Sequence, residues 1–317
     1  MLERWVRSLV VLAGVALLGC GEAAETPAPP DASAPAAAAE LPADLPNVLL
    51  LALSTFDEGA DGKPVPRSEL MVLTRRGGAW QARSYTDPES NVFHKAMAWT
   101  PPGQSPALVT LGGSAAAVKL WRKGEAGLAP VETLWQADFG GKFSRMRDAE
   151  VGDLDGDGQT ELAIATHDQG VVAVLRMGAG GKAEVSELDR EADTFVHEIE
   201  LGDLDRDGRP EIYATPSEPN RLDGTPQPGQ VVSYRAGEPG SRRVVADLGD
   251  RHAKEILAGD VDGDGTDELY VASDKQRELR RYVWVSGSPV REVIYRREKP
   301  QAILTWNIAP VPGTLVD

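Results

Sequence analysis

VGDLDGDGQTEL (residues 151–162), LGDLDRDGRPEI (201–212) and GDVDGDGTDEL (259–269) repeat one pattern, D-x-D-x-D-G-x-x-E. Carboxylates fall at positions 1, 3, 5 and 9 of a tight loop, with glycine at position 6 where the backbone must turn sharply. That oxygen set suits a hard divalent cation, Ca²⁺ above all. The first loop supplies Asp153, Asp155, Asp157 and Glu161, the second Asp203, Asp205, Asp207 and Glu211, the third Asp260, Asp262, Asp264 and Glu268. Position 7 is Gln159, Arg209 or Thr266, chemically unrelated residues, as expected if only the backbone carbonyl there ligates the ion. About three structural calcium ions are expected.

An EF-hand opens with a similar acidic run but needs an acid at position 12 and a helix on each side. Position 12 here is Ile164, Ala214 or Val271, and short β-prone runs such as HEIELGD and EIYAT flank the loops. The loops therefore join strand to strand. Their first aspartates, Asp153, Asp203 and Asp260, recur at 50 and then 57 residues, and each unit reads as four strands. That is the blade of an all-β propeller.

Sliding the first loop back by 54 residues places 97–122 on 151–176, with Trp99, Pro101, Gly103 and Ala107 at the ligand positions, so this blade is expected to be calcium-free. Residues 46–76 align from the second strand of a blade onward, and 301–313 read as the missing first strand, with Asn307, Ala309 and Val311 at ligand positions. Closing the ring with the C-terminal strand removes exposed edges. Five blades are expected, at 46–90 plus 299–317, 91–142, 143–192, 193–249 and 250–298, with six or seven blades open as alternatives.

Arg4, Arg7, an apolar run from Leu9 to Leu18 and Leu17-Leu18-Gly19-Cys20 read as an export leader over 1–19. The last four residues resemble the bacterial lipobox, which implies lipidation of Cys20, the chain's single cysteine. Gly21, rather than an aspartate, points to the outer membrane. Residues 20–45, Ala- and Pro-rich, are expected to be a disordered tether, and 46–317 the folded domain. The net charge of −16 argues against a nucleic-acid partner.

Loops and blades together resemble the FG-GAP or VCBS repeats of integrin α-subunit propellers and of many exported bacterial proteins, most closely over 145–275. The resemblance implies calcium on one face of a propeller and a role in adhesion or ligand binding. With fewer blades than integrins, the chain departs from them.

If first strands line the axis, His94, Asp148, Glu198, Glu255 and Ala302 form one ring, and Ala96, Glu150, Glu200, Leu257 and Leu304 a second. Asp148, Glu198 and Glu255 are the catalytic candidates of an alternative reading, a carbohydrate-active hydrolase or lyase. A structural role is expected for His197 and His252, and space-filling for Trp99 and Trp306. Long loops at 54–68 and 216–229 offer a recognition surface. The main expectation is a calcium-stabilised, membrane-anchored module that binds a protein or glycan partner.

Overall fold

The computed structural model describes residues 48–113, 116–140, 144–167, 169–218, 228–249, 253–273, 277–298 and 308–310. Cys20 with the leader and tether, His252, the loop 219–227, and Ala302, Leu304, Trp306, Asn307 and Val311 of the expected closing strand lie outside the described residues.

Among the described residues the chain is all β, with nineteen strands in five antiparallel sheets. The first sheet holds β1 (Val48–Glu58), β2 (Pro64–Arg76) and β3 (Ala79–Thr86). The second holds β4 (Phe93–Trp99), β5 (Ala107–Gly112), β6 (Ala117–Gly124) and β7 (Gly127–Gln136). The third holds β8 (Met146–Gly152), β9 (Glu161–Thr166), β10 (Val172–Met177) and β11 (Ala183–Asp189). The fourth holds β12 (Phe195–Gly202), β13 (Glu211–Ser217), β14 (Gln230–Tyr234) and β15 (Arg243–Asp247). The fifth holds β16 (Ala253–Gly259), β17 (Glu268–Ser273), β18 (Glu278–Val285) and β19 (Ser288–Arg296). Each four-stranded sheet is a simple meander in chain order, the blade of a β-propeller.

The second strands are where the fold is held. In β9 every residue is buried, because a strand with a blade on either side must be apolar on both faces. Its alternation then splits its side chains: Leu162 and Ile164 pack towards β5, β6 and Met146, while Ala163 and Ala165 pack with Ile199, Ile212 and Val232. In β13, Ile212 and Ala214 join that second cluster, and Tyr213 joins a third with Val231, Ile256 and Val271. Leu70, Phe93 and Trp121 knit the first two blades. Burial of this kind contributes about 1.5–3 kcal/mol per large side chain. Outer strands such as β3 and β19 are largely exposed.

First strands pack in sequence, β4 on β8, β8 on β12 and β12 on β16, with β1 against β4. Each of β4, β8, β12 and β16 carries a register shift against its partner at the same place: Phe93/Lys95, Met146/Asp148, Val196/Ile199 and Ala253/Glu255. Such bulges bend a strand and re-aim its side chains. One expected loop is also absent: 54–68 is a hairpin, paired up to Glu58↔Pro64, with only residues 59–63 turning.

Candidate metal centres and the axial carboxylates

Each acidic loop is the turn from first to second strand of its blade: β8 to β9, β12 to β13, β16 to β17. The first aspartate shapes it. Asp153 accepts Gly156 N–H and Gly158 N–H, both at 2.8 Å. Asp203 accepts Asp207 and Gly208 N–H at 3.0 and 2.8 Å, and Asp260 accepts Gly263, Asp264 and Gly265 N–H at 2.8–3.0 Å. The glycines at position 6, Gly158, Gly208 and Gly265, have φ of 85°, 85° and 83°, which a side chain would disfavour. Position 4 is also left-handed; it is Gly156 and Gly263 in two loops but Arg206, at φ 64°, in the other.

These turns gather carboxylates. Oxygens of Asp153, Asp155 and Glu161 lie within 4.8 Å of one another, as do those of Asp203, Asp205 and Glu211, and those of Asp260, Asp262, Asp264 and Glu268. Asp157 and Asp207, expected in the first two sets, stand outside these groups and instead accept the N–H of Gln159 and Arg209. The position-9 glutamates are buried at the strand entrance. Glu161 Oε2 accepts Leu154 N–H at 2.9 Å, and Glu211 and Glu268 accept the hydroxyls of Tyr213 and Tyr270 at 3.1 Å. Burial pushes Glu211 up to about 7, with Asp205 adding to the push and Arg235 opposing it.

The donor set fits a hard divalent cation. All donors are oxygens, they converge, and Asp205 Oδ1 is buried without accepting a hydrogen bond. Sequence reasoning missed the cations beside these loops. Arg235 contacts Asp205, Asp207 and Glu211, and Arg281 contacts Asp262 and Glu268. The tyrosines were missed too, although Glu-x-Tyr in two of the three repeats was the signal.

At the axis the structure changes one member of the expected ring. Trp99, Gly152, Gly202 and Gly259 each pair with the first residue of a second strand: Ala107, Glu161, Glu211 and Glu268. Counting back four residues gives Lys95, Asp148, Glu198 and Glu255. The gapless alignment placed His94 there because the turn 100–106 is one residue shorter than 153–160. A one-residue slip moves every side chain to the other face. His94 Nδ1 instead contacts Met146 O.

Lys95 Nζ donates to Asp148 Oδ1 at 2.7 Å and to Glu150 Oε1 at 2.5 Å. Burial disfavours its charge, but those two carboxylates more than offset this and hold its proton well above the usual lysine value. Asp148 Oδ2 accepts Ile199 N–H from β12 at 3.0 Å, and Glu255 Oε1 accepts Ile308 N–H at 3.1 Å. Two of the three catalytic candidates thus accept backbone N–H groups, Asp148 from the neighbouring blade's first strand and Glu255 from a residue near the C-terminus. The third, Glu198, is pushed up to about 9, chiefly by burial and then by Asp148 and Glu255, with Arg147 opposing at 3.7 Å. Glu200 rises to about 7, by burial and then by Glu150 and Asp148. His197 is buried against the rings of His167 and Phe195. Trp99, 2% exposed, fills space and donates its indole N–H to Thr160 at 3.1 Å.

Residues 111–214, from β5 to β13 with two of the acidic loops, match a family model described as FG-GAP-like repeat. This segment is similar to an FG-GAP-like repeat. The third loop lies beyond the matched residues and carries the same pattern. No curated protein matches the chain. Among solved structures, it is similar to puromycin hydrolase (15% identity, TM-score 0.49) and to a serine-to-alanine mutant of puromycin hydrolase complexed with PGG (16% identity, TM-score 0.49). Each match covers 80% of this chain, which spans 38% of the length of those proteins.

Proposed function

We propose that this protein is a calcium-stabilised binding or scaffold module, tethered to the outer membrane through a lipid on Cys20. The observation that carries the reading is the recurrence of one all-oxygen carboxylate cluster at the same strand-to-strand turn of three successive blades. When bound, calcium would neutralise carboxylates that otherwise repel, so its binding energy becomes blade stability. Asp153, Asp155 and Glu161 would hold the first ion, Asp203, Asp205 and Glu211 the second, and Asp260, Asp262, Asp264 and Glu268 the third, with Asp157, Asp207 and the carbonyls of Gln159, Arg209 and Thr266 completing the shells.

The partner would be met at the opposite ends of the strands. There a cavity of about 400 Å³ is lined by Glu191, Thr194, Ser217, Glu218, Gln230 and Arg242. Polar walls of this kind suit a glycan hydroxyl array or a polar protein loop. The hydrolase or lyase reading gains nothing from the axis, where Asp148 and Glu255 are occupied by backbone donors.

Native mass spectrometry of the calcium-loaded protein tests the metal assignment. Three ions per chain are expected, with one lost in each of Asp155→Ala, Asp205→Ala and Asp262→Ala. A wild-type chain that retains none contradicts the reading.

A further inference from the structure

The second and third acidic loops each already hold a cation, and it belongs to the chain. Arg235, the residue after β14, places Nη1 2.5 Å from Asp207 Oδ2 and Nη2 2.5 Å from Asp205 Oδ2, and Nη2 also meets Glu211 Oε1. Three of the four loop carboxylates converge on one guanidinium. In the third loop Arg281 Nη2 sits 2.5 Å from Asp262 Oδ2 and 2.8 Å from Glu268 Oε1. In the first loop, Arg176 Nη2 stands 3.6 Å from Asp155 Oδ2, beyond hydrogen-bond reach.

The two engaged arginines do not come from one repeat position. Arg235 follows Tyr234, which pairs with Ile212, just as Arg176 follows Leu175, which pairs with Leu162. Arg281 instead lies opposite Tyr270, the place that Ser233 takes opposite Tyr213. Two different registers thus bring a guanidinium to the same pair of carboxylates, at positions 3 and 9 of the loop. Those are also two oxygens that a bound ion needs.

Resting on the calcium reading, we propose that Arg235 and Arg281 are tethered counter-cations. They hold the second and third loops together when metal is scarce, and must withdraw before an ion binds. Arginine suits this role because its several N–H donors let Nη2 meet the carboxylates at positions 3 and 9 at once, with Nη1 of Arg235 free to reach Asp207, and because it keeps its charge at any physiological pH. Because displacing it opposes binding, the loops fill in order: the first at low calcium, the second and third at higher calcium. Charge-assisted hydrogen bonds to such a pair correspond to a roughly tenfold or larger affinity difference.

Calorimetric calcium titration and melting in EGTA test this on wild type, Arg235→Met, Arg235→Lys and Arg281→Met. Wild type should show one site at least roughly tenfold tighter than the other two. Each Met variant should tighten one weak site by a similar factor and melt lower than wild type in EGTA. Arg235→Lys, with charge but no fork, should fall between in both readouts and secures the comparison if Arg235→Met does not fold without metal. Calcium binding that persists with an unchanged or weakened isotherm in the variants overturns the counter-cation role alone. Absence of calcium binding in every variant overturns the metal reading beneath it.

Discussion

Arg206 is the residue at which one loop departs from its two siblings. At φ 64° it occupies a left-handed conformation that Gly156 and Gly263 adopt without a Cβ. Its guanidinium returns little, standing 3.9 Å from Asp264 with both side chains 58% exposed. A left-handed L-residue costs about 1–2 kcal/mol, partly offset by the greater unfolded-state freedom of glycine. Arg206→Gly is expected to stabilise the protein by about 1 kcal/mol, read as a melting temperature raised by about 2–4 °C. An unchanged or lower melting point would show that the loop relaxes around the arginine at no cost.

At the scale of the element, the inner strands are tied edge to edge by their own acids. Glu198 on β12 lies between Asp148 on β8 and Glu255 on β16, and its carboxyl is pushed up to about 9 from an ordinary 4.5. Between those values the folded chain keeps a proton that the unfolded chain releases. This contribution to stability is therefore complete below the ordinary value and is lost as pH rises through neutral towards about 9. Glu198→Gln, neutral at every pH, should flatten the fall of melting temperature between pH 6 and pH 9. An identical slope in the variant would mean that Glu198 is ionised in the folded protein.

The same strands show what could be read from the sequence and what could not. The acidic loops were legible because their chemistry is local and repeats, and the second strands because burial on both faces leaves a continuous apolar run such as LAIAT. Lys95 was not legible: a one-residue shortening between Trp99 and Ala107 slips β4 against its sibling strands, and it leaves no compositional trace. Arg235 and Arg281 were illegible for another reason. A long side chain reaches from the third strand to the loop that enters the strand beside it, from registers that do not repeat.

For the whole molecule, positions 1, 3, 5 and 9 of the acidic loops hold 12 of the chain's 49 acidic residues, and the formal net charge is −16. Three divalent ions would bring that net charge to about −10 and relieve repulsion at three adjoining blades. Their effect on stability would therefore be global. Among the described residues, apolar clusters hold the sheets together, so a loosened loop at the mouth of β9 or β13 weakens the packing on both sides of that strand, and one at β17 weakens the cluster of Leu269 and Val271. The most direct measurement is thermal unfolding in millimolar calcium against EGTA at fixed ionic strength. Calcium at about 100 times its dissociation constant should raise the midpoint by about 10 °C or more, summed over three sites. Coincident melting curves would contradict calcium as the stabiliser of this fold.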